Sequence, residues 1–203
     1  MQSKLASTGT SIFTIMSKMA ADYGAINLSQ GYPGFHISQE LIDLVSFYMN
    51  NGDNQYAPMP GLPQLRAQIS QKVNHSFDSG VNADDHITVT SGATESIYAT
   101  MTALIHAGDE VIYFEPAYDS YHPNILLNGG LPIPIKLNSD DFSIPWEAVE
   151  KKVTDKTKMI VINTPHNPSG AVLKKEDLER LYDIIRNKEI FVLSDEVYEH
   201  LIF

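Results

Sequence analysis

The stretch that decides the fold reads Ile190-Phe191-Val192-Leu193-Ser194-Asp195-Glu196-Val197-Tyr198. Four consecutive apolar residues followed at once by polar ones are typical of a buried strand that ends at the edge of a sheet. Asp195 would then lie close to buried backbone, where an unpaired charge is costly. A cationic partner would offset that cost. The alternative is a carboxylate whose hydrogen bonds are satisfied within a turn and which needs no ligand. We interpret the strand end as a binding site that contains Asp195 and the phenol of Tyr198.

Short runs rich in β-branched residues alternate with helical patterns along most of the chain. The predicted strands are Ile87–Thr90, Glu110–Phe114, Pro132–Leu137, Met159–Asn163 and Ile190–Ser194. The predicted helices between them are Thr94–His106, Tyr118–Asn128, Pro145–Val153 and Lys174–Asn187. This alternation predicts an α/β fold in which a mostly parallel sheet lies between two layers of helices.

The first part of the chain has a different pattern. Residues 1–36 are predicted to form an N-terminal arm and a substrate-side loop, with helix-like spacing from Ser11 to Ala20 and a turn at Gln30–Gly34. Residues 37–203 are predicted to be the first part of the large domain, which opens with helices from Ser38 to about Met49 and from Pro63 to Phe77.

Composition limits the classes of partner. The net charge of −11 argues against nucleic acid or an anionic membrane as a general partner, and no window approaches a membrane span. The absence of cysteine and of a signal peptide favours a cytoplasmic location. The run Asp84-Asp85-His86 is interpreted as an acidic loop, so no metal site is expected. The apolar ending Leu201-Ile202-Phe203 predicts that this chain is the first part of a longer one.

Two further motifs are expected at the same edge of the sheet as Asp195, because ligands of such sheets lie beyond the carboxyl ends of the strands. Ser91-Gly92-Ala93-Thr94 opens a helix, whose positive end suits a phosphate, although a plain capped turn has the same composition. The proline-locked loop Asn163-Thr164-Pro165-His166-Asn167-Pro168-Ser169-Gly170 could equally be only a turn. His166 is interpreted as a structural loop residue.

These strings together resemble the class I and II aminotransferases, which use pyridoxal phosphate (PLP). The resemblance runs from about Thr10 to Phe203 and is greatest for the methionine, glutamine and kynurenine aminotransferases, with the methionine aminotransferases most similar. It implies the aspartate-aminotransferase fold. It also implies a Schiff-base lysine and a carboxylate-binding arginine downstream, at positions that this sequence does not contain.

The resemblance also implies roles for individual residues. Asp195 would bind the pyridinium nitrogen of PLP, and Tyr198 and Asn167 its 3-oxygen. Tyr118, in Glu115-Pro116-Ala117-Tyr118, would stack on the ring, although an aromatic packed on the core would have the same pattern. The phosphate would be bound by Gly92, Ala93 and Thr94.

The remaining implied roles concern the substrate and a second subunit. Tyr56, in Asn54-Gln55-Tyr56, would reach the phosphate of the neighbouring subunit, which implies a homodimer with shared sites. The substrate would be bound by the backbone N–H of Gly31, by Asn167 and by an apolar-aromatic pocket of Phe13, Tyr32 and Tyr118.

The predicted activity is transfer of an amino group from an apolar or aromatic, methionine-like amino acid to a 2-oxo acid. Two alternatives stay open. A carbon–sulfur lyase of the same fold would share the cofactor residues, and a truncated domain of this fold would have no catalytic activity.

Overall fold

The computed structural model describes residues 3–5, 9–31 and 33–202. The chain folds as two compact units, one comprising residues 10–90 and the other residues 91–202 together with the described residues before Thr10. The predicted boundary between residues 36 and 37 stays a prediction. Among the described residues, no helix is both long and apolar enough to cross a bilayer.

The unit of residues 10–90 contains three helices where helices are predicted: α1 (Ile12–Tyr23), α2 (Gln39–Asn50) and α3 (Pro63–Phe77). Helix α1 begins after Ser11, whose hydroxyl accepts a hydrogen bond from the Thr14 N–H at 3.3 Å. It ends at Gly24, which adopts the left-handed conformation (φ 60°) that a side chain disfavours.

The predicted strand Ile87–Thr90 is wrong. Within the described residues, this segment does not pair with any strand of the sheet. The N–H of Val89 instead donates to the carbonyl of Pro60 at 2.9 Å. Gly61 (φ 103°) makes this approach possible, because a Cβ built on it would lie 2.6 Å from Cγ2 of Val89. The β-branched residues of this run favour a strand, but a strand also needs a neighbouring strand for its hydrogen bonds.

The unit of residues 91–202 is built on a parallel sheet with the strand order β2-β1-β3-β4. The strands are β1 (Glu110–Glu115), β2 (Leu131–Lys136), β3 (Thr157–Asn163) and β4 (Phe191–Asp195). The helices are α4 (Gly92–Leu104), α5 (Tyr121–Leu127), α6 (Trp146–Lys152) and α7 (Lys175–Ile185). The predicted α/β architecture is confirmed.

Each face of the sheet carries its own hydrophobic cluster. Strand β1 shows the alternation, because Val111 and Tyr113 pack in the cluster that includes Ile97 of α4, whereas Ile112 and Phe114 pack in the one that includes Leu181 of α7. A strand buried on both faces reads as a continuous apolar run, which is why β1 is recognisable in the sequence. Strand β4 is less buried than predicted, since Phe191 and Val192 are exposed on this edge strand of the described sheet.

The sheet opens towards its carboxyl edge. Strand β1 stays paired with β2 as far as Glu115, and β3 stays paired with β4 as far as Asn163 and Asp195. The described pairing of β1 with β3, in contrast, ends at Ile112 and Ile160. The two central strands therefore diverge at the point where the strand order reverses, which is where open α/β sheets form a ligand crevice.

Candidate active site

A pocket lies at the carboxyl edge of the sheet, within the unit of residues 91–202. Its volume is about 200 Å³, and its lining residues come from the start of α4, the loop after β1, and the segments at the ends of β3 and β4. They are Ala93, Thr94, Tyr118, Asn163, Asn167, Asp195, Val197 and Tyr198. The structure thus brings together six residues that the sequence nominates from three separate motifs and one loop.

Asp195 ends β4 and is a buried residue, with 8% of its surface exposed. Its Oδ2 accepts a hydrogen bond of 2.6 Å from the hydroxyl of Tyr121, and its Oδ1 accepts a longer one of 3.3 Å from the N–H of Val197. Both donors are neutral, so these two bonds orient the carboxylate without cancelling its charge. A negative charge held in this way at a pocket wall is suited to a cationic ligand group.

Tyr121 does not line the pocket but donates to Asp195, which does, and the sequence did not indicate this contribution. It begins α5 and is 3% exposed. Burial, followed by the hydrogen bond and the negative charge of Asp195, raises the pKa of its phenol far above the ordinary value, so the phenol stays a donor. A tyrosine on the apolar face of a short helix usually finds a partner for its hydroxyl, and that pattern could have directed attention to it.

The start of α5 also differs from the prediction. The helix was expected to begin at Tyr118 but begins at Tyr121, after a turn in which the N–H of Tyr121 donates to the carbonyl of Tyr118 at 3.3 Å. Tyr118 consequently belongs to a loop at the pocket wall. Its ring meets that of Tyr121 edge-on, with 5.9 Å between the ring centres.

Asn163 joins the ends of β3 and β4 to the loop that carries Asn167. Its Nδ2 donates to the carbonyl of Asp195 at 2.8 Å, and its Oδ1 accepts from the N–H of Asn167 at 2.7 Å. The N–H of Thr164 also donates to the carbonyl of Asp195, at 3.1 Å. Asn163 therefore fixes the backbones of Asn167 and Asp195 relative to each other, a contribution that its place in the motif alone did not specify.

Helix α4 directs its N-terminus at the pocket. Gly92 begins the helix with a positive φ of 78°, and Ala93 and Thr94 follow it in the first turn. The hydroxyl of Thr94 lies 3.2 Å from that of Tyr118. The N–H of Ser91, one residue before the helix, is bonded to the carboxylate of Glu95.

Three of the predicted site residues lie in the other unit, and one lies outside the described residues. Phe13 belongs to α1, Gly31 to an exposed loop, and Tyr56 to a segment in which its side chain is exposed. Tyr32 is the residue outside the described part of the chain. The roles of all four stay predictions. No cluster of metal ligands occurs among the residues that the structure describes.

The sequence matches the family model for aminotransferases of class I and II over residues 24–203. The chain belongs to this family. Methionine aminotransferase from Escherichia coli (strain K12) is 46% identical over 202 residues, which cover 100% of this chain and 52% of that protein. A probable N-succinyldiaminopimelate aminotransferase from Mycobacterium tuberculosis is 36% identical over 203 residues, which cover 99% of this chain and 51% of that protein.

Solved structures of the family agree with the fold. The crystal structure of an Escherichia coli protein with an identified methionine aminotransferase function superposes with a TM-score of 0.94 at 46% identity, covering 98% of this chain and 52% of that one. The N-succinyldiaminopimelate aminotransferase from Mycobacterium tuberculosis has a TM-score of 0.94 at 36% identity, covering 100% and 53%. The chain spans about half the length of the curated relatives that it matches.

Proposed function

We propose that the complete protein is a PLP-dependent aminotransferase that moves an amino group from a methionine-like amino acid to a 2-oxo acid. One observation carries this proposal: six of the residues nominated for PLP, from distant motifs, line a single pocket. The substrate rests on less, namely 46% identity to the methionine aminotransferase of Escherichia coli and the apolar-aromatic residues predicted on the substrate side.

The chemistry of the pocket residues fits PLP. The nearly buried carboxylate of Asp195 has two neutral donors, so a protonated pyridine nitrogen would supply the positive charge that this site favours. The start of α4 offers N–H groups and the positive end of a helix dipole to a phosphate dianion. Aromatic and amide side chains line the wall between these two ends.

The residues nominated for PLP would then have separate tasks. Asp195 would keep the proton on the pyridine nitrogen, while Tyr198 and Asn167 would donate to the ring's 3-oxygen. Tyr118 would cover one face of the ring and exclude water from it. Gly92, Ala93 and Thr94 would bind the phosphate.

When bound, PLP supplies an electron sink for charge that develops at the substrate's α-carbon. The residues of this chain would hold the groups that bind the cofactor in place. Tyr121 orients the Asp195 carboxylate, and Asn163 keeps the backbones of Asp195 and Asn167 at a fixed spacing. None of the described residues that line the pocket is a lysine.

The remaining parts of the proposal concern assembly, substrate contacts and location. Tyr56 would bind the phosphate of a partner subunit, which makes the protein a homodimer. Phe13 would contact the substrate side chain, while Asn167 and the N–H of Gly31 would bind the substrate itself. A cytoplasmic location and free amino and 2-oxo acids as substrates complete the proposal.

The test uses the purified full-length protein with added PLP. We expect methionine to be converted into its 2-oxo acid only when a second 2-oxo acid is present as acceptor. Asp195→Asn keeps an oxygen acceptor for Tyr121 but removes the charge, and should lower turnover by about a hundredfold or more. Release of ammonia and a thiol without any acceptor would instead identify a carbon–sulfur lyase. Failure to bind PLP at all would favour the non-catalytic alternative.

A further inference from the structure

The imidazole of His166 connects two walls of the pocket. Its Nε2 lies 3.0 Å from the carbonyl oxygen of Pro116, in the loop after β1, and its Nδ1 lies 2.7 Å from Oγ of Ser169, in its own loop. Tyr118 follows Pro116 by two residues, and Asn167 follows His166 directly. Both of these neighbours line the pocket.

The partners of the ring determine its tautomer. A carbonyl oxygen can only accept, so Nε2 must carry the hydrogen that is donated to Pro116. In a neutral ring Nδ1 is then the acceptor, and the hydroxyl of Ser169 donates to it, while Oγ of Ser169 accepts from the N–H of Ala171 at 3.2 Å. Every polar atom of this small network has a partner when the imidazole is neutral. Partial burial lowers the pKa of His166, which favours the same neutral form.

The bond to Pro116 crosses the part of the sheet where backbone pairing has stopped. The described β1–β3 pairing ends at Ile112 and Ile160, three residues before the ends of both strands. Beyond that point each strand continues with its outer neighbour, so the two halves of the carboxyl edge belong to different strand pairs. The His166 hydrogen bond joins the segments that follow these two halves.

We propose that His166 is a positioning residue whose Nε2–H bridges the opening between β1 and β3. It fixes the loop that carries Tyr118 relative to the loop that carries Asn167. That these two loops bind PLP between them rests on the proposed function. The bridge itself is a property of the chain without any ligand.

Two substitutions separate the bridge from the contact within the loop. In His166→Gln the amide nitrogen reaches roughly the position of Nε2 and can still donate to Pro116. In His166→Asn the shorter amide reaches roughly the position of Nδ1 and keeps only the contact with Ser169. Ser169→Ala is the matched control, because it removes the contact within the loop and leaves Nε2 in place.

The experiment measures amide hydrogen exchange of residues 117–121 and of the non-proline residues of 163–171 in the full-length protein without PLP, and then the dissociation constant for added PLP. In His166→Asn we expect about tenfold faster exchange in both segments and about tenfold weaker PLP binding, as loss of one hydrogen bond implies. His166→Gln and Ser169→Ala should stay within about threefold of the wild type in both measurements.

The proposal is overturned if His166→Asn behaves like Ser169→Ala, or if His166→Gln is as impaired as His166→Asn. A measurement on the unmodified protein keeps it testable even if a variant does not fold: nitrogen NMR of the imidazole should show a hydrogen on Nε2, and an Nε2 without a hydrogen would refute the bridge. If the wild type does not bind PLP, the proposed function fails, while the exchange and NMR results still decide the role of His166.

Discussion

Replacing Tyr121 with phenylalanine removes one hydroxyl from beside a buried carboxylate. The lost hydrogen bond is 2.6 Å long, its acceptor Asp195 is 8% exposed, and its donor is 3% exposed. Hydrogen bonds to charged groups contribute roughly 1.5–3 kcal/mol to stability. The remaining described donor, the Val197 N–H at 3.3 Å, makes a long bond that compensates little. We expect the free energy of unfolding to fall by about 2–3 kcal/mol.

Urea denaturation at neutral pH provides the measurement, with an unchanged slope as the sign that the native fold is retained. The raised pKa of the Tyr121 phenol keeps it protonated at neutral and moderately alkaline pH, so the loss should be constant over that range. Tyr182→Phe is the control, since that tyrosine is 62% exposed and its hydroxyl should matter by less than about 0.5 kcal/mol.

A double-mutant cycle with Asp195→Asn isolates the pair. In the Asp195→Asn background the same tyrosine change removes only a neutral hydrogen bond, so it should cost roughly 1 kcal/mol, and the coupling energy should be about 1 kcal/mol or more. If Tyr121→Phe changes stability no more than Tyr182→Phe, the hydroxyl does not stabilise the carboxylate and the reasoning is refuted.

Three other outcomes can be measured. Asp195→Ala in the full-length protein should slow exchange of the substrate's α-hydrogen by several powers of ten, each worth about 1.4 kcal/mol, and near-normal exchange would exclude the pyridinium role. The pKa of the Tyr113 phenol is raised to about 12 by burial, then by the charge of Glu115 and the hydrogen bond to Glu115. The protonated phenol therefore contributes its full stabilisation below the unfolded-state pKa of 10, and this stabilisation is lost as the pH rises through the folded-state pKa. Tyr113→Phe should therefore flatten the alkaline loss of stability in denaturation curves, and an unchanged slope would contradict this. Tyr56→Phe should weaken PLP retention by roughly 1.5–3 kcal/mol. Mixing it with Asp195→Ala should restore one intact site per heterodimer, and no recovery, with heterodimers shown to form, would mean that Tyr56 does not serve a partner.

The sequence predicts those helices and strands whose own residues show a clear apolar pattern. Strand β1 is recognisable because it is apolar on both faces, and the helices are recognisable from their spacing and end signals. The strand predicted at Ile87–Thr90 fails because pairing depends on a distant neighbour, which no local run of residues specifies. The same reason explains why the exposure of β4 at the sheet edge was not predicted.

The site divides in the same way. Asp195 and the start of α4 follow from residue type and their place at strand and helix ends, so the sequence indicates them. Tyr121 and Asn163 act through partners that are 74 and 32 residues away, and only the folded chain brings those partners within hydrogen-bond distance. Residue type and spacing contain no information on such long-range partners.

The strand order also governs when the pocket can exist during folding. The carboxylate is on β4, the last strand of the described residues, whereas its hydroxyl partner is at the start of α5, which precedes β2 in the sequence. Contacts across such separations form late, because loop closure must precede them. The helices and the first three strands can therefore collapse before the pocket does. Ligand binding at this pocket would then report the docking of β4 and not early collapse.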